Sequence, residues 1–293
     1  MERYKLVEKN GMKAGLGAIK VTWPKFAGAN VMNDALLSGD LEFSSLGPTP
    51  LGLMWARPKD TPNEVKAMAA YCTFPLYLNT RNPNVKTIKD FTQNDRIALP
   101  AVKVSGQALT LQMAAAQAFG EANYARLDPL TVSQSHPDAM VQMLSGKSTI
   151  NSHFASAPFH QMEMKDPAIR TVLNSYDVVG GPATAILLVT TSRFRNANPK
   201  TYGAVLAALG EAIEIINRDR KAAAELYLQA ANDKKTKVEE ILKMIEDPDW
   251  SYTLTPQRVF KYVEFMHKVG IVKTKPGSWK DMFFPEIHQL PGS

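Results

Sequence analysis

Five histidines, His136, His153, His160, His267 and His288, and one thiol, Cys72, are the residues on which metal or nucleophilic chemistry would have to be built. The imidazoles show none of the spacings used by zinc sites, and no acidic calcium loop occurs. No GxSxG elbow presents a serine, and neither GxGxxG nor a phosphate loop precedes a helix. Cys72 stands beside Tyr71 and near Phe74 and Leu76, the setting of a buried, inert thiol, and a single cysteine precludes an internal disulfide. No catalytic residue, metal ligand or cofactor is therefore assigned.

What the sequence does offer is hydrogen-bonding groups where strands give way to helices. Gly47, Pro48, Thr49 and Pro50 follow one half-polar strand; Lys103, Ser105, Gly106 and Gln107 follow the apolar "RIALPA"; His153, Phe154 and Ser156 end a third. In open α/β sheets, ligands collect beyond the carboxyl ends of strands, where helix N-termini present unpaired N–H groups. Thr49 is expected to cap a helix and to turn its hydroxyl and the following amides toward a solute. Ser105 and Gln107 would donate hydrogen bonds, Gly106 would allow close backbone approach, and the helix dipole would favour an anion by ~0.3–1 kcal/mol. Lys103 reads either as a ligand charge or as a solvated lysine. His153 reads either as an oxyanion partner, with Phe154 walling the pocket, or as a packed core histidine. Gly181, with Gly180 and Pro182, reads as a return turn where small residues permit hinge motion.

The elements that position these loops are written twice. "DALLSGDLEFSSLGPTP" from Asp34 and "DAMVQMLSGKSTINSHFASAPF" from Asp138 both run from a helix ending in Leu-Ser-Gly, through a short strand and a loop of small residues, to proline. In the first copy, Val31, Met32, Ala35 and Leu36 lie at helical spacing, Gly39 stops the helix, and Leu41 to Ser45 alternates as a strand. Thr49-Pro50 then opens a helix through Leu53 and Trp55. In the second, Ser135 or Asp138 starts the helix, Gly146 stops it, Thr149 to His153 forms the strand, and Pro158 opens the next helix. Laying Leu37-Ser38-Gly39 on Leu144-Ser145-Gly146 brings the two strand ends into register to within a residue. Between the copies, "YLNTRNPNVKTIKDFTQND" reads as a surface connection with one helical turn, followed by a strand at "RIALPA" and an Ala-rich helix ending at Gly120. "ATAILLVTT" is the return strand, and helices are expected over Pro199–Asn217, Asp219–Ala231, Val238–Ile245 and Thr255–Val269.

At 293 residues, with 45% apolar and 21% charged residues, the chain has the composition of a folded protein large enough for two lobes. The longest strongly apolar run, Ala185–Thr191, falls far short of the ~20 residues of a membrane span. "MERYKLVEKNGMKAGLG" is polar throughout and carries no export signal. The net charge of +6 comes from dispersed lysines, so anionic partners are mildly favoured and nucleic acid is not expected.

"DALLSGDLEFSSLGPTP", "NPNVKTIKDF", "RIALPAVKVSGQA", "SGKSTINSHFASAPF" and "SWKDMFFPEI" resemble the substrate-binding proteins of ABC importers of the nitrate, sulfonate, taurine and bicarbonate type. The resemblance covers nearly the whole chain. It implies a type II periplasmic binding-protein fold, with two α/β lobes joined by two crossovers and a ligand cleft between them. Residues 1–81 and 185–293 would form lobe one, and 82–184 lobe two. The function implied is a non-enzymatic, monomeric receptor in the periplasm, or outside the cell at the membrane, that closes on a small anionic or polar solute and delivers it to a membrane permease. Such proteins open with a signal peptide, a strand and a loop, whereas this sequence starts at the helix "ERYKLVEKNG", which reads as a misplaced start. The alternative is an enzyme on the same fold, resembling thiamine-pyrimidine or menaquinone-pathway proteins, with His153 as its one evident acid-base candidate. A cytosolic sensor would need a DNA-binding segment that the sequence lacks.

Overall fold

A computed structural model describes residues 1–24, 26 and 29–293. Its helices are α1 (Leu6–Lys13), α2 (Ala29–Ser38), α3 (Pro48–Ala56), α4 (Gly106–Phe119), α5 (His136–Ser145), α6 (Phe159–Glu163), α7 (Ser175–Val179), α8 (Ser192–Ala197), α9 (Pro199–Arg218), α10 (Arg220–Ala231), α11 (Val238–Ile245) and α12 (Val259–Lys268). The strands are β1 (Ser44–Leu46), β2 (Val65–Thr73), β3 (Tyr77–Thr80), β4 (Ile97–Leu99), β5 (Thr131–Ser133), β6 (Ser152–Ala155), β7 (Arg170–Asn174) and β8 (Thr184–Thr191).

These elements form two compact units, residues 1–73 with 184–293 and residues 74–183, so the chain passes between them twice. The first passage comes after Thr73, not after Arg81. Tyr77–Thr80, whose Asn and Thr suggest a surface connection, is an interior strand of the second unit: β3 lies between β6 and β7, with Leu78, Asn79 and Thr80 wholly buried.

In the first unit β8 is the central strand, antiparallel to β1 on one side and to β2 on the other. β2 is buried along most of its length, and Met68 joins Leu6 and Val7 of α1, Tyr202, Val205 and Ala208 of α9, and Phe284 in one apolar cluster. α3 packs on β2, β8 and α12, and its Trp55 is fully buried with the indole N–H donated to the Asp281 carbonyl at 3.1 Å. α12 begins at Val259 and not at Thr255, because Gln257 exchanges hydrogen bonds with Thr184 at the start of β8 and holds the chain extended there.

The second unit has the strand order β5-β4-β6-β3-β7, with β4 parallel to β5 and β6, and β3 antiparallel to β6 and β7. Its helix boundaries follow the capping residues. Ser105 Oγ accepts the Ala108 N–H at 3.2 Å, Ser135 Oγ accepts the Asp138 N–H at 3.3 Å, and Gly146 ends α5 in the left-handed region at φ 64°. β6 starts later than the expected Thr149, because Ser148 to Asn151 form a turn: the Ile150 N–H is donated to Ser148 Oγ, and the Asn151 amide to Asp95 at 2.8 Å.

Candidate functional site

The two repeats place their loops on the same local frame but equip them differently. In the first unit Gly47 is the cap of α3 and Pro48 its first residue, so Thr49 lies inside the helix and does not cap it. A side chain at Gly47 would crowd the Ala185 carbonyl, its Cβ falling 3.3 Å from that oxygen. The expected row of free amides is reduced by chemistry: Pro48 and Pro50 carry no N–H, and the Leu51 N–H is donated to the Gly47 carbonyl at 3.1 Å. Thr49 is 1% exposed, and its hydroxyl, like Ser44 Oγ and Asn33 Oδ1, is buried without a hydrogen-bond partner. Buried polar groups are ordinarily paired, so these atoms on α2, β1 and α3 are exceptions, as are Gln112 Oε1 and Gln161 Oε1 in the second unit.

In the second unit the loop after β4 brings Lys103, exposed and left-handed at φ 66°, to the Ser105 cap. Ser105 Oγ is taken by Ala108, while the Gly106 and Gln107 N–H groups find no partner among the described residues. A side chain at Gly106 would meet nothing within 4 Å, so that end of α4 borders open space rather than another backbone. Phe154 is wholly buried core, on a strand where alternation sends it to the face opposite His153; it lines no opening. The Ser156 carbonyl oxygen accepts the His160 N–H at 3.0 Å. Gly181 is committed to a turn, its N–H bonded to the Tyr176 carbonyl at 2.7 Å and its φ at 128°.

His153 is 0% exposed and sits in a buried polar chain. Its Nδ1 lies 2.5 Å from Glu163 Oε1, and its Nε2 lies 2.8 Å from His136 Nδ1. His136 Nε2 in turn faces the Gln107 amide nitrogen at 3.3 Å. On the far side, Asn79 donates to Glu163 Oε2 at 2.8 Å, and the Asn79 carbonyl oxygen accepts from Thr171 at 2.9 Å. Register explains the assembly: His153, Asn79 and Thr171 are cross-strand partners on β6, β3 and β7, and α5 and α6 pack over this part of the sheet. Burial first, and the neighbouring His153 second, push His136 down from 6.5 to about 4, so it is neutral at pH 7. Sequence reading missed His136, Glu163 and Asn79 as one constellation. The one signal was a lone Glu within the short apolar segment "PFHQMEM".

Elsewhere, burial pushes the Cys72 thiol up to about 12, which makes it unreactive at neutral pH. A hollow of about 520 Å³ beside α9 is lined by Lys13, Glu211, Glu214 and Arg218 among others, none of them in the loops above. Among the described residues no group of three His, Cys, Asp or Glu side chains is placed to hold a metal, and no helix is long and apolar enough to cross a membrane.

This arrangement of two α/β units, with the return at β8 and a helical C-terminal region, recurs in solved structures. The periplasmic aliphatic sulphonate binding protein SsuA of Escherichia coli superposes with a TM-score of 0.69 at 16% identity, covering 97% of this chain and 86% of its own. The fold is that of the periplasmic binding proteins. The alkanesulfonate-binding protein SsuA of Xanthomonas axonopodis pv. citri, bound to MOPS, shares this binding-protein fold at TM-score 0.69 and 14% identity, over 94% of this chain and 89% of that one. So does a Candida albicans gene product described as having the generic periplasmic binding protein structural fold, at TM-score 0.67 and 10% identity over 96% and 90%. No family model and no curated protein sequence matches the chain.

Proposed function

We propose that this protein is the solute-binding receptor of an ABC importer, taking a small anionic or polar solute of the sulfonate, nitrate or carboxylate kind and presenting it to a membrane permease. The observation that carries this reading is the likeness in fold, over nearly the whole chain, to proteins described as binding aliphatic sulphonates and alkanesulfonates. The unpaired amides at the start of α4 in the second unit supply hydrogen-bonding groups suited to an oxyanion. Capture would work through closure, the solute favouring the closed form by as much as it binds that form better. The site of action would be the periplasm or the outer face of the membrane.

The enzymatic alternative leaned on His153. With the ring fully buried and both nitrogens engaged inside the second unit, it lacks the access to solute that a general acid or base requires. The test is a thermal-shift and scattering screen with ethanesulfonate, 2-aminoethanesulfonate, nitrate, bicarbonate and acetate. A ligand present at a hundred times its Kd should stabilise the protein by about 2.7 kcal/mol and raise Tm accordingly. Neither stabilisation nor compaction with any of them would end the receptor reading.

A further inference from the structure

Hydrogen bonds in a closed chain have a direction, and in the second unit that direction is set at Glu163. The Asn79 amide is held by Thr171, whose hydroxyl is donated to the Asn79 oxygen at 2.9 Å; the Asn79 nitrogen therefore faces Glu163 as donor. With Glu163 accepting at both oxygens, His153 donates from Nδ1 and accepts at Nε2. His136 must then donate from Nδ1 to His153 and accept at Nε2, and Gln107 must turn its amide nitrogen toward His136, the orientation found. The Gln107 oxygen is left over: it accepts no hydrogen bond from any described residue, at the second position of α4, beside the unpaired N–H groups of Gly106 and Gln107.

We propose that the Glu163-His153-His136 relay fixes the amide of Gln107, so that near neutral pH this residue offers an acceptor and selects solutes carrying an N–H or O–H donor beside their anionic group. The groups facing the two rings are Glu163 and, stacked on His136, Phe159 from α6, Gln107 from α4 and Asn79 from β3; His160 of α6 meets the chain through the Asn79 oxygen at 3.2 Å. The tautomer with the proton on Nδ1 is the less common one for free imidazole, which gives the relay a signature of its own.

The solute preference rests on the receptor reading, whereas the tautomers do not, and the experiment separates them. Protein carrying 15N-labelled histidine should show His136 and His153 both protonated on Nδ1 at pH 7.5. Either ring protonated on Nε2 at pH 7.5 overturns the relay. In calorimetry, 2-aminoethanesulfonate should bind about tenfold tighter than ethanesulfonate at pH 7.5, the worth of one hydrogen bond to a charged donor. In His136→Leu, which offers Gln107 no ring nitrogen to orient its amide, the ratio should fall toward one. A ratio near one in the native protein, or one unchanged in the variant, overturns the selection. Nδ1 tautomers with no sulfonate bound at all would uphold the relay and remove the selectivity drawn from it; the receptor reading falls only when no solute of the wider screen binds.

Discussion

The two copies of the repeated segment share a scaffold and differ in what they do with polar atoms. Each ends its first helix on a left-handed glycine beside an arginine: a Cβ at Gly39 would lie 3.1 Å from Arg193, and one at Gly146 would lie 3.4 Å from Arg81. Arg81 also donates to the Met143 carbonyl at the end of α5 at 2.7 Å and pairs with Asp166. In the register of the repeats, Leu46, apolar and buried, stands where the second copy has His153. The first copy then leaves Asn33, Ser44 and Thr49 with unmet hydrogen-bonding atoms, while the second engages His153 and His136 in a continuous relay, with Gln161 Oε1 on the following helix still unmet. A duplicated frame can thus keep its backbone logic and reverse its polar logic: one copy holds hydrogen-bonding capacity in reserve, and the other uses it to fix side-chain orientation.

That contrast is open to attack by mutation. Glu163→Ala should have the largest effect, because it strands His153 and Asn79 in the core; a loss of about 3–5 kcal/mol is expected in urea denaturation, and a loss under 1 kcal/mol would show that the relay is structurally idle. Acid comes next. The folded-state pKa of His136, about 4, lies below its ordinary value of 6.5, so the unfolded chain binds the extra proton and its contribution is complete only above the unfolded value. Stability on the order of 3 kcal/mol should therefore be lost as pH falls from about 6.5 to about 4, and His136→Gln should flatten that part of the curve. If the helix stops are equivalent, Gly39→Ala and Gly146→Ala should each cost about 1–2 kcal/mol, the penalty of a Cβ in the left-handed region; a marked inequality between the two would break the parallel. The smallest effect has the opposite sign. Thr49→Val removes a buried hydroxyl that has no partner, and should stabilise the protein by about 1 kcal/mol in urea denaturation.

Helix limits and the repeat were legible because their determinants are local. Ser105, Ser135, Gly120 and Gly146 mark boundaries by capping chemistry that acts within one turn. β3 was not legible. Asn79 and Thr80, followed by Arg-Asn-Pro, have the composition of a loop, and only remote partners, Glu163 and Thr171 for Asn79 and Ser152 for Thr80, make them tolerable inside a sheet. The same blindness moved the first passage between units to Arg81. At Thr49 the pattern Thr-Pro suggested a cap, but the preceding Pro48 already supplied a first helical residue with its φ preset, and the helix starts there. His153 was noticed for its type and place, but its partners on α5 and α6 leave no local trace.

Cys72 also sets what can be done experimentally with this molecule. Its thiol is almost wholly covered and holds its proton at neutral pH, so alkylating probes in solution will pass it by. Cysteines introduced on exposed helix positions, one in each unit, could accept paired spin labels or fluorophores in the otherwise native background, and the distance between them could be followed as solute is added.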